Sequence, residues 1–194
     1  LGDAAGESTT FTAGLVATAP GALNIAGTVA ANTSTSTIAL GDGDTAVAVT
    51  ATSLVGGAAT GLIDIGDATL VDGATLTVGT GIANAINLDK VTGTASGAVS
   101  SLTINTSGLV NVAEAVGTDI GVVTLTQTGG TTFAGTVAAV TVTLKAVPAT
   151  VWVSTFWTRL SSTASTSAAA EPSLINLLIN SMTTAAAAEP GLIN

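Results

Sequence analysis

Asp42 and Asp44 occupy alternate positions in LGDGDT (40–45), with glycines at 41 and 43. Two carboxylates in a Gly-rich loop are hard oxygen donors, and calcium takes six to eight such oxygens. The stretch IDIGDATLVDG (63–73) offers a second set in Asp64, Asp67 and Asp72. Asp42, Asp44, Asp64 and Asp67 are therefore the candidate calcium ligands. The competing reading is a solvated turn, in which Asp and Gly supply turn geometry and bind nothing.

Other chemistry lacks its parts. The chain has no His, Cys or Tyr, which removes the usual general base, the thiol nucleophile and the imidazole or thiolate metal ligand. Paired carboxylates can hydrolyse a glycoside. A sugar groove is normally lined by aromatic and basic side chains, however, and residues 1–147 contain few of either. An enzyme is not expected. Threonine rows such as TLT (75–77), LTINT (102–106) and VTLTQT (123–128) could build ladders of the kind an ice-binding surface presents. Threonine is also simply a good exposed strand residue. Asn32-Thr33-Ser34 and Asn105-Thr106-Ser107 match the glycosylation pattern, as chance allows in a chain this rich in Asn and Thr.

Composition sets the frame for these residues. Charged residues are 8% of the 194, where an ordinary soluble domain has about 25%. The hydrophobic fraction of 47% comes from Ala, Val, Leu and Ile, with 3% aromatics. Small and branched side chains suit tightly stacked, repetitive layers. Disordered chains are poor in them. Three bases, Lys90, Lys145 and Arg159, face twelve acids for a formal charge of −9, which argues against nucleic acid and against anionic lipid as partners. No apolar run of about 18 residues exists to insert in a membrane as a helix. The first residue is Leu1 rather than Met, which fits a processed, exported chain or an excised fragment.

The elements that would position these residues are short runs of period-2 apolar alternation. They are residues 22–27, 36–43, 45–52, 61–66, 74–81, 85–89, 101–108, 109–115, 121–130 and 139–146. Alternation with β-branched enrichment and Gly, Asn or Asp punctuation is the strand signal. IAGTVAA (25–31) recurs as FAGTVAA (133–139), and TTFTAG (9–14) resembles TTFAGT (131–136). The expectation is an all-β fold with a strand-repeat domain over 1–147. A parallel β-solenoid is favoured, since its stacked rungs need little beyond aliphatic residues inside and Thr, Asn and Ser outside. A β-sandwich is the alternative, and only Phe11 and Phe133 could give it rings before residue 150.

Residues 148–194 differ in kind. VWVSTFW (151–157) holds Trp152, Phe156 and Trp157, and a Ser/Thr/Ala stretch leads into AAAEPSLIN (168–176) and AAAEPGLIN (186–194). A short helix after Pro172 would line up Leu174, Leu177 and Leu178. The second copy stops where the first continues into Leu177. That suggests either a unit completed by another molecule or a longer repeat array cut short. Residues 151–157 read either as a cap over the open end of the stack or as an assembly patch. On the second reading Trp152, Phe156, Trp157, Leu174, Leu177 and Leu178 are the candidate interface, because aromatic residues are enriched at interface hot spots.

By VVTLTQTGGTTFAGTVAAVTVTL (122–144) the chain resembles the repetitive β-strand proteins of bacterial surfaces, namely filamentous-haemagglutinin-like and autotransporter adhesins and Thr/Ala/Gly-rich surface-layer proteins. The resemblance runs over about residues 9–147 and lies in composition and phrasing. It implies export to the cell surface, an extended β-rich shape and a structural or adhesive role. The resulting expectation is a secreted segment of a filament, surface layer or adhesin stalk that self-associates through its C-terminal part. A carbohydrate- or ice-binding module is the alternative, with a surface glycan as the possible partner.

Overall fold

The computed structural model describes residues 1–145, apart from 3, 19–20, 43 and 58–60, together with the backbone of 151–156. All regular structure among the described residues is strand. The first turn holds β1 (Ser8–Phe11), β2 (Leu15–Ala17) and the first half of β3 (Leu23–Ala31). β3 rounds a corner into the second turn, which continues through β4 (Ile38–Leu40) and the first half of β5 (Val47–Gly56). The third turn takes the rest of β5, then β6 (Ile63–Ile65) and β7 (Ala68–Leu70). β8 (Thr75–Ile82), β9 (Ile86–Leu88) and β10 (Val91–Gly93) make the fourth. The fifth has β11 (Ser100–Thr106), β12 (Leu109–Val112) and Val116, and the sixth has β13 (Ile120–Thr126) and β14 (Gly130–Val137). β15 (Thr141–Lys145) and β16 (Val151–Phe156) begin another.

Every strand pair is parallel, and the pairs form three ladders. The first runs β1-β3-β5-β8-β11-β13-β15, and the second runs β2-β4-β6-β9-β12-β14-β16. The third joins the first halves of β3 and β5 to β7 and β10, then to bridges at Val116 and Val137. This is a parallel β-solenoid of about six turns. Hairpin pairing, which the sandwich alternative requires, does not occur among the described strands.

Alternation explains why these sequences stack. In the first ladder Val29, Val55, Val78, Ile104 and Leu125 lie one above another, each fully buried. Ile38, Ile63, Ile86 and Val110 form the matching column of the second ladder. Leu23, Val47, Ala68, Val91, Val116 and Val137 form that of the third. Branched aliphatic side chains repeat at the strand spacing without gaps, so no large ring is needed. Phe133, 2% exposed, is the aromatic residue of the described core.

Corners need backbone that folds tightly against the turn below. Gly27, at the bend of β3, has φ +76°, and a Cβ there would lie 2.5 Å from the Glu7 carbonyl oxygen. Only glycine meets both conditions at low cost. Six described strands escape the alternation pattern: β1, β2, β7, β10, β14 and β16.

Candidate functional site: an acidic corner and an outward threonine array

The corner after the second ladder collects acids because each turn leaves that ladder at the same place. LGDGDT follows β4, Gly66-Asp67 follows β6, Asp89-Lys90 follows β9 and Glu114 follows β12. The Asp42 carboxylate Oδ1 accepts hydrogen bonds from the Asp44 amide at 3.0 Å and the Thr45 amide at 2.7 Å. It is thereby engaged in closing its own turn. Asp67 forms a hydrogen-bonded ion pair with Lys90, which stands one turn above it. That pair raises the Lys90 pKa, with the hydrogen bond as the leading cause.

Asp64 lies elsewhere, at the outward centre of β6, in a column with Ala39 and Asn87. Partial burial, and then the negative charge of Asp89, raise its carboxyl pKa above the ordinary value. The four candidate calcium ligands are thus distributed among a turn, an ion pair and a sheet face. Among the described residues no group of three or more acids is placed to hold a metal ion. Sequence inspection missed the Asp67–Lys90 contact. Aligning the end of β6 (IDIGD) with the end of β9 (INLDK) shows the signal, since it superposes Asp67 on Lys90.

The three threonine rows, by contrast, come together. Thr75, Thr77, Ser101, Thr103, Asn105, Thr124 and Thr126 all point outward from the first ladder, between fully buried Leu76, Leu102, Ile104, Val123 and Leu125. Register places Thr77, Thr103, Thr124 and Thr143 in a single column. Ser8, Thr28 and Leu54 extend it downward. A second column runs Thr75, Ser101, Val122, Thr141.

The two glycosylation patterns separate. Asn32 is exposed beyond the end of β3, whereas Asn105-Thr106 lies within β11. There Thr106 is fully buried, and its hydroxyl donates to the Asn84 carbonyl at 2.6 Å. Of the candidate interface, Trp152 and Phe156 fall on the β16 backbone, which pairs with β14. Their side chains, and Trp157, Leu174, Leu177 and Leu178, lie outside the described residues.

Fold and surface together define the class: a parallel β-solenoid with an aliphatic interior and a mostly uncharged, hydroxyl-rich exterior. Comparison with known proteins found no matching family model, no similar curated protein and no similar solved structure.

Proposed function

We propose that this protein is a secreted structural segment of a filament, surface layer or adhesin stalk at the cell surface, joined to further copies of itself through its C-terminal part. The supporting observation is how the core columns end. In the middle turns they are closed above and below. At the two described ends Phe11, Leu15 and Ala17, and Val142 and Leu144, are only partly buried. A parallel stack has an upper and a lower face that differ, so joining copies end to end is a heterologous contact that propagates without closing. Natural solenoids cap such ends or use them to polymerise. β16 extends the second ladder at Val151–Val153 and, past a register shift, pairs Phe156 with Val137, which sets the backbone of Trp152 and Phe156 on the last described strand.

The mechanism on this reading is mechanical. Backbone ladders along the axis confer stiffness, and the Thr, Ser and Asn exterior keeps the rod hydrated. Sedimentation velocity and negative-stain imaging of the full chain should show linear assemblies. Deleting residues 168–194 should leave a β-rich, folded protein, by circular dichroism, that sediments as a monomer. A full chain that stays monomeric at high concentration would overturn self-association. Unchanged assemblies after the deletion would overturn the assignment of the joint to the tail.

A further inference from the structure

We propose that the outward face of the first ladder is an ice-binding surface. The surface is formed by strands other than β16, so it does not depend on self-association. Thr75, Thr77, Ser101, Thr103, Val122, Thr124, Thr141 and Thr143 occupy two adjacent columns in unbroken register through four strands. Rows on a strand repeat about every 6.7 Å and neighbouring strands about every 4.8 Å. Both spacings are near the oxygen repeats on a prism face of hexagonal ice.

The chemistry of the array fits ordered water better than any other partner. The hydroxyls of Thr77, Thr103, Thr124 and Thr126 make no hydrogen bond to any described residue, so each keeps one donor and two acceptor sites for water. Threonine is stiff at χ1, and methyl and hydroxyl therefore stand in a fixed pattern with little side-chain entropy left to lose. Behind the array Leu76, Val78, Leu102, Ile104, Val123 and Leu125 are completely buried, which holds the strands in place. Val122 keeps the shape of threonine within its column.

Charge points the same way. No acid occupies an outward position on β8, β11, β13 or β15, and Lys145 at the far margin is the one base. A chain carrying −9 thus has a neutral face, suited to an uncharged partner. Nor does any aromatic ring stand outward on those four strands, so a sugar would find no stacking platform.

Nanolitre osmometry and ice-affinity partition of the full chain are the test. The wild-type protein should facet growing ice crystals, depress freezing below melting and enter the ice fraction. Thr103→Tyr and Thr124→Tyr, which raise a ring above the array, should each lose most of that activity. Thr103→Val, which keeps the shape and removes one hydroxyl, should lose part of it. Thr69→Tyr, outward and exposed on the third ladder, should retain it, with circular dichroism confirming the fold of every variant. Absence of faceting and partition in the folded wild type overturns the proposal. Equal loss in Thr69→Tyr does so too. Partition onto crystalline cellulose but not into ice, abolished by the same array variants, overturns it in favour of a glycan surface.

Discussion

The threonine array and the acidic corner are built by the same rule and come out differently. Each turn repeats its predecessor about 4.8 Å away, so a side chain meets its own equivalent above and below. On the first ladder Thr77, Thr103, Thr124 and Thr143 stack without conflict, because neutral hydroxyls tolerate like neighbours. At the corner, carboxylates so stacked would repel. The chain avoids this in three ways: Asp42 turns inward to its own loop amides, Asp67 faces Lys90, and Gly66 carries no side chain. Asp64, on the β6 face away from the corner, has its pKa raised first by partial burial and only then by the charge of Asp89. A ladder thus multiplies every local choice. Charges do follow one another at the corner, where Asp67, Lys90 and Glu114 stand on successive turns, but there a base lies between the two acids.

The comparison can be broken most severely from the inside. Ile104, fully buried beneath Thr103, has Val78 and Leu125 as its column neighbours. Ile104→Ala should cost about 2–5 kcal/mol in urea denaturation. A cost well under 1 kcal/mol would mean that the column is not the source of stability. Gly27→Val should follow at about 1–3 kcal/mol, because φ +76° and the nearby Glu7 and Ala4 carbonyls both oppose a branched Cβ.

A subtler change writes the corner's problem onto the array. Thr103→Asp with Thr124→Asp puts two carboxylates in register one strand apart. The double variant should be less stable than the sum of the singles by up to about 1 kcal/mol. The excess should shrink in high salt, where surface charges are screened. Strict additivity at low salt would remove like-charge stacking as the reason that the array carries no charge.

Asp64 gives a smaller, pH-dependent effect. Its carboxyl binds a proton more readily folded than unfolded, so within the window above the ordinary value of 3.8 the native state holds more protons. The Asp64 contribution therefore weakens the fold as pH rises through that window and favours it below. Asp64→Asn should flatten this part of the stability curve and raise stability slightly at neutral pH. A wild-type curve whose Asp64-dependent part rises with pH would show the opposite coupling. The smallest expected change is from chelation. With Asp42 engaged in its turn and Asp67 with Lys90, EDTA should leave the melting temperature unchanged. A fall would reveal a bound cation at the corner.

Much of this protein follows from its sequence alone. Ten alternating runs each overlap a strand of the fold, and scarce rings with abundant branched aliphatics pointed to stacked parallel turns rather than a sandwich. The threonine rows were legible as outward residues. Which strand lies above which was not. Twenty residues separate the ladder partners Ser8 and Thr28, but 26 separate Thr28 and Leu54, so no fixed period marks the turn. The recurring phrase illustrates this. IAGTVAA rounds the corner from the third ladder to the first, with Ile25, Val29 and Ala31 buried, while FAGTVAA rounds that from the second to the third, with Phe133, Val137 and Ala139 buried. The phrase encodes a corner, inward residues on either side of a glycine, and not a place in the turn. Alternation along a strand reports only that strand's two faces. The column above each residue depends on loop lengths and on the closing of the whole core, and so the Asp67–Lys90 pair and the alignment of the three threonine rows were decided by tertiary structure.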